Sequence, residues 1–256
     1  MWRWLKSFMQ KHSEPIDRPS PDQLTYVIGD IHGRLDLLEK LLPLIDTHAA
    51  GREHTRVFVG DYIDRGPDSA QVLHRLRDIN RSDPSGVICL KGNHEDMMLN
   101  FLHGREHNSG LWLFNGGDMT LASFGVSPPK DEDDLNSVQA DLADAMSGGL
   151  ADWVEALPTQ WTTGKLAVVH AALEPDLPLD QQSDRTRIWG NKEFLIRGRS
   201  DGWWVAHGHT VTRPPVIQPS RIATDTGAWF SDTLTAAAIA PDGKVEFIDT
   251  LSHQPS

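Results

Sequence analysis

Three times between residues 24 and 102, a short apolar run gives way to a glycine-bounded loop rich in polar and charged residues, which leads into apolar residues at helical spacing. Leu24 to Ile28 is followed by Gly29-Asp30-Ile31-His32-Gly33 and then by Leu35, Leu38, Leu41, Leu42 and Ile45. Arg56 to Val59 is followed by Gly60-Asp61-Tyr62-Ile63-Asp64-Arg65-Gly66, then by Val72, Leu73, Leu76 and Ile79, with Pro67 placed to open the helix. Val87 to Leu90 is followed by Lys91-Gly92-Asn93-His94-Glu95, then by Met98, Leu99 and Leu102. Short apolar runs bounded by glycine read as buried strands, and the 3.6-residue period reads as helices. This grammar predicts an α/β fold whose polar loops gather at one sheet edge, where ligands bind in such folds.

The rest of the chain completes that edge. Leu166 to Val169 delivers His170, and Trp203 to Ala206 delivers His207-Gly208-His209-Thr210. Arg221 to Thr224, Leu234 to Ala240 and Lys244 to Ile248 read as further strands, the last two joined by the hairpin signal Pro241-Asp242-Gly243. Between about 111 and 158 the pattern changes to helical spacing, interrupted near Gly148-Gly149, with the acidic run Asp131 to Asp134 suited to a helix N-terminus. The expected organisation is a lead-in over 1–23 and a single domain over 24–256, with a mostly helical cap inserted at about 111–158.

A formal charge of −12 argues against a nucleic-acid-binding face. It also means that a phosphate dianion needs local positive charge, which divalent cations supply at short range. The single cysteine, Cys89, lies in an apolar run and cannot form an internal disulfide, which suits a reducing cytoplasm. No stretch approaches the ~18 consecutive apolar residues of a membrane helix, so stable membrane insertion is not expected. Met1 to Met9 mixes basic and aromatic residues and reads as a docking or frayed tail. Oligomeric state is left open.

Asp30, His32, Asp61, Asn93, His170 and His209 each lie at the end of an apolar run. If strand geometry persisted through Asp30 and His32, both would fall on one face. Mixed nitrogen and oxygen donors suit manganese, iron or zinc. Asp61 is placed to bridge two cations with a water or hydroxide nucleophile between them, and Arg65 offers a planar fork for phosphate oxygens. His207 points to the opposite face from His209 if its strand continues, so His209 is the better ligand candidate. His12, His48, His54, His74, His103, His107 and His253 have no surrounding motif and read as structural. The nine tryptophans read as core by default, although Trp112 and Trp203 also fit a substrate groove.

The three loop motifs resemble the signature motifs of the phosphoprotein phosphatase family within the calcineurin-like metallophosphoesterases. Gly208-His209-Thr210 and Asp225-Thr226-Gly227 resemble the C-terminal motifs of its compact bacterial and bacteriophage branch. The resemblance covers about residues 24 to 240 and implies a β-sandwich flanked by helices with two divalent metals, manganese foremost, at its edge. It implies Asp30 and His32 on the first metal, Asp61 on both, and Asn93, His170 and His209 on the second. It further implies His94 as general acid with Asp64 orienting its ring, Arg65 and Asn93 at the substrate phosphate, and Asp225 in support. One departure stands out: the branch carries a second phosphate-holding arginine where this chain has Asn191, two residues after Trp189. Arg185, Arg187 and Lys192 are the nearby cations, and none is assigned that role.

The expected activity is a metal-dependent phosphomonoesterase acting on phosphoserine or phosphothreonine in proteins, or on a small phosphoester. One alternative is hydrolysis of dinucleoside polyphosphates such as diadenosine tetraphosphate, against which Asp64 argues, because that branch resembles this one but differs there. The other is a catalytically silent metal-binding scaffold, which has no need of a His94–Asp64 pair.

Overall fold

The structure is a computed structural model that describes residues 18–105 and 110–251. The tail Met1 to Met9, most of the lead-in, His12, His107 and His253 lie outside the described residues. Ten strands are present among the described residues: β1 (Leu24–Ile28), β2 (His54–Phe58), β3 (Val87–Cys89), β4 (Gln160–Thr163), β5 (Leu166–Val169), β6 (Trp204–His207), β7 (Val216–Gln218), β8 (Arg221–Ala223), β9 (Thr235–Ile239) and β10 (Val245–Asp249). They form two mixed sheets of five, in the orders β10-β9-β1-β2-β3 and β4-β5-β6-β8-β7.

The strand alternation expected of buried sheets builds the layers. Val27, Val57, Val59, Leu90, Ala237 and Ile239 of the first sheet and its ends pack against Val168, Ala206 and Ile222 of the second. Their neighbours Tyr26, Ile28 and Phe58 point the other way, into a larger core shared with the helices α1 (Leu35–Ala49), α2 (Ser69–Ser82) and α3 (Asn93–Leu102). β1, β2 and β3 run parallel, in register Val27 with Val57 with Ile88. β5, β6 and β8 are also parallel. Parallel strands end together, so both sheets deliver their following loops to one edge. The Pro241-Asp242-Gly243 turn closes the antiparallel β9–β10 hairpin, with the Gly243 amide donating to the Ala240 carbonyl.

Residues 111–158 hold short helices, α4 (Gly110–Trp112), α5 (Asp118–Ser123), α6 (Leu135–Ala145) and α7 (Leu150–Glu155), with a π-turn over Leu113–Gly117. Trp112, Leu121, Val138, Leu142, Leu150 and Val154 join the same core as α1–α3, so this segment packs onto the body. Asp131 accepts from the amides of Asp133 and Asp134, opening the turn before α6.

Several expectations need correction. α2 begins at Ser69, with Pro67 in the preceding turn. β4 and β7 carry too few apolar residues to be read as strands; pairing with β5 and β8 makes them so. Strand geometry does not persist from Asp30 to His32, whose φ is +47°. Cys89, as its apolar run led one to expect, is a buried strand residue. Trp203 packs against the outer face of the second sheet, with the Lys165 ammonium 4.9 Å from its ring centroid.

Candidate metal and phosphate site

The loop after β2 is the centre of the site. Five of the non-glycine residues with left-handed backbone lie at this edge: His32, Asp61, Asp64, Arg65 and His209. Such conformations cost about 1–3 kcal/mol each and persist only where surrounding structure holds them. Here the support is Glu95, whose fully buried carboxylate accepts from the amides of Asp61, Tyr62 and Gly92 at 2.8, 2.8 and 2.9 Å. Gly60, at φ +115°, passes so close to the Gly92 backbone that a Cβ would collide with it.

Around Asp61 the imidazoles converge. His32 Nε2 and His94 Nε2 lie 3.6 and 3.8 Å from Asp61 Oδ2, and His170 Nε2 lies 3.4 Å from Oδ1. Asn93 Oδ1 is 2.9 Å from both His170 Nε2 and His209 Nδ1. Asp30 accepts from the His209 amide at 3.1 Å, an approach open because Gly208 has no side chain. All six predicted ligand residues thus meet at one edge, with Asp61 in the middle.

Hydrogen bonding fixes which ring atoms are free. His32 Nδ1 is 2.8 Å from the Ile63 carbonyl and His170 Nδ1 is 3.1 Å from the Val59 carbonyl. A carbonyl only accepts, so each Nδ1 carries the proton. Burial holds both rings neutral, with pKa values near 3 and 4, leaving a bare lone pair on each Nε2. The His170 lone pair therefore faces the Asn93 and Asp61 oxygens with no proton between them. Acceptors crowded in this way repel unless a cation lies among them, and two such groups, His32–Asp61–His94 and Asp61–His170–His209, share Asp61.

The carboxylates tell the same story. Burial and then repulsion from Asp225 and Asp61 raise the Asp30 pKa well above the usual range. Burial raises Asp225 to about 6 and Glu95 to about 7. Asp61 is the exception: burial would raise it, but His170, His94, His32 and His209 together hold it below the ordinary value. Dense buried carboxylates and neutral imidazoles, both poorly solvated, fit divalent cations.

A dyad stands beside this cluster. His94 Nδ1 donates to Asp64 Oδ2 at 2.6 Å. Burial opposes the imidazolium, but Asp61 and Asp64 outweigh it and raise the His94 pKa. Asp64 is itself held by Trp112 Nε1, at 3.1 and 3.0 Å from its two oxygens, and by Thr120 Oγ1 at 2.6 Å. Arg65 Nη1 and Nη2 reach His32 Nε2 and His94 Nε2 at 2.9 and 3.1 Å, spanning both groups.

Sequence reading did not single out Glu95, Trp112 or Thr120 for these roles; only the motif position of Glu95 signalled anything. His207 turns away, with Nδ1 on the Gly208 carbonyl and its ring against Phe194. At the missing arginine, Asn191 caps the helix α8 (Lys192–Ile196) by accepting from the Glu193 amide. Arg187 is tied to Asp184, Gln160 and the Leu179 carbonyl. Lys192 lines a cleft of about 320 Å³ beside His209, together with Trp189 and Asn191.

Comparison with known proteins gives the same architecture a family. Residues 24–256 match the calcineurin-like phosphoesterase family. The chain is 30% identical to serine/threonine-protein phosphatase 1 of Salmonella typhimurium over 84% of its own length and 91% of that protein. It is 25% identical to the asymmetrical bis(5'-nucleosyl)-tetraphosphatase PrpE of Halalkalibacterium halodurans over 90% of its length and 94% of that protein. Among solved structures, that of a candidate diadenosine tetraphosphatase superposes with a TM-score of 0.61 at 22% identity, covering 90% of this chain and 95% of the other. This last likeness bears on fold alone.

Proposed function

The chain belongs to the calcineurin-like phosphoesterase family, and from that premise we propose that it is a two-cation phosphomonoesterase whose leading substrates are phosphoserine and phosphothreonine in proteins. Asp30 and His32 would hold one cation, Asn93, His170 and His209 the other, and Asp61 both. When bound, the cations supply Lewis acidity toward phosphoryl oxygen and acidify water; manganese suits the mixed donors, as do iron and zinc.

The protein's own part is to hold and protonate. Arg65 offers two N–H groups to phosphate oxygens. His94 gives its Nε2 proton to the leaving oxygen, while Asp64 keeps Nδ1–H in place and stabilises the imidazolium. His94 also stands within reach of the His32–Asp61 group, but Asp61 and Asp64 raise its pKa against burial, whereas burial lowers that of His32. A ligand must be neutral; an acid must carry a proton. The observation that carries this reading is the buried 2.6 Å contact between His94 and Asp64.

One feature favours dinucleoside polyphosphates as a second reading. Trp229 and Phe230, 42% and 49% exposed, meet edge to face at 5.0 Å, and the Arg65 guanidinium lies 5.4 Å from the Trp229 ring centroid. An exposed aromatic shelf at the phosphate fork suits a nucleobase. Turnover of a phosphopeptide and of diadenosine tetraphosphate, side by side with manganese, tests the choice. Faster phosphopeptide cleavage is expected; preferential cleavage of the dinucleotide, lost in Trp229→Ala, overturns it. Absence of turnover on either substrate and on p-nitrophenyl phosphate, with both metals bound, leaves a scaffold.

A further inference from the structure

Beside His209, the second sheet and α8 border another cavity, of about 220 Å³, whose polar lining residues are His207, Thr210, Thr212, Gln218 and Arg221. Arg221 is 9% exposed. Its two terminal nitrogens donate to the Phe194 carbonyl and the Gln218 side-chain oxygen, and the guanidinium lies 5.4 Å from the centroid of the Phe194 ring. All these partners are neutral. Among the described residues no carboxylate stands within ion-pair distance of Arg221, whereas neighbouring Arg197 is paired with Asp176 and Glu193, and Arg199 with Asp201. Burial lowers its proton affinity.

Two buried polar atoms of residues that line this cavity, Arg221 Nε and Thr212 Oγ1, have no hydrogen-bond partner among the described residues. A buried guanidinium without a counter-charge is costly, and an orphaned donor and an orphaned hydroxyl on residues of one cavity add to that cost. An arginine that served only to brace the Phe194 carbonyl would not need an open cavity beside it. The cavity shares Leu195 and Thr210 with the cleft at His209, so the two spaces adjoin. In a chain of net charge −12, this uncompensated cation is a local attractor for anions.

We propose that the cavity is an oxyanion site that takes a phosphate or phosphoryl group between the Arg221 side chain and the Thr212 hydroxyl. The group can come from free inorganic phosphate, the product of the adjoining site, or from a second phosphoryl of a substrate reaching out of the cleft. The second source rests on the phosphoester reading above; the first does not.

Equilibrium dialysis of the manganese-loaded full chain against labelled inorganic phosphate tests the site directly. Thr212→Val leaves the contacts of Arg221 with Phe194 and Gln218 in place, and Arg221→Gln removes the charge; p-nitrophenyl phosphate turnover reports that each variant is folded. The expected result is a binding event that weakens about ten- to a hundredfold in both variants while that turnover is unchanged. Identical phosphate binding in wild type and Thr212→Val, or a loss in Arg221→Gln only alongside lost turnover, overturns the proposal. If the occupant is a substrate phosphoryl, KM for diadenosine tetraphosphate rises about tenfold in the variants with KM for p-nitrophenyl phosphate constant. If it is free phosphate alone, both KM values stay constant. Should no phosphoester be cleaved, the functional reading fails while the dialysis result still decides the site.

Discussion

Trp112 donates its indole N–H to both oxygens of Asp64, at 3.1 and 3.0 Å, with the ring wholly buried. The segment beyond α3 is thereby joined to the dyad: Trp112 and Thr120 fix Asp64, and Asp64 fixes His94. A carboxylate that accepts three such bonds cannot rotate away from the imidazole.

Trp112→Phe keeps the buried ring and removes that N–H. Loss of a hydrogen bond to a charged acceptor costs about 1.5–3 kcal/mol. Because the effect passes through the proton donor, kcat should fall more for an alkyl phosphate, whose leaving oxygen needs the proton, than for p-nitrophenyl phosphate. An equal fall on both substrates would mark Trp112 as packing alone.

Asp64→Asn should move the alkaline limb of the kcat profile to lower pH. The sign follows from His94: despite burial, the charges of Asp61 and Asp64 raise its pKa, and the acid form exists below that value. Removing the Asp64 charge lowers the pKa, so activity is lost earlier as pH rises. His94→Asn removes the donor itself and should cost about 10²- to 10⁴-fold in kcat. Steady-state rates across pH check both; equal wild-type and His94→Asn rates would remove His94 from the mechanism.

Glu95→Gln is expected to lower stability. Glu95 faces three backbone amides, so the carboxamide must present an N–H to at least one of them, at a cost of about 1–3 kcal/mol. That corresponds to roughly 2–12 °C in Tm for a domain of this size. Thermal unfolding followed by circular dichroism measures it.

Removal of the proposed cations should lower thermal stability. In the stripped protein two classes oppose between about pH 4 and 7. The neutral imidazoles His32, His170 and His207, with lowered values, gain stability as pH rises, while the raised carboxylates Asp30, Asp225 and Glu95 lose it. At pH 6.5 about half of the unfolded histidines still carry a proton, so the imidazole gain continues to about pH 7.5. Glu95, raised to about 7, loses its contribution as pH rises to that value. Manganese should reverse the loss, adding roughly 5–10 °C to Tm at a hundredfold excess over Kd. Differential scanning calorimetry with chelator and with manganese reads it; an unchanged Tm on adding manganese to the stripped protein would contradict cation binding at Asp61.

The sequence by itself determined the α/β class, the three loop-bearing units and the identity of the polar residues that meet at Asp61. It could do so because apolar period and glycine punctuation are local: each strand, loop and helix writes its own pattern into a few consecutive residues. What only the tertiary structure decided depends on partners far apart in the chain. Glu95 became the support of the Asp61 loop through amides more than thirty positions away, and Trp112 became a partner of Asp64 across forty-eight. His32 left strand geometry as its ring bonds to Ile63, and Arg221 turned out to be a buried cation with no counter-charge among the described residues. Desolvation and hydrogen-bond satisfaction are properties of the packed interior, and no window of neighbouring residues carries them.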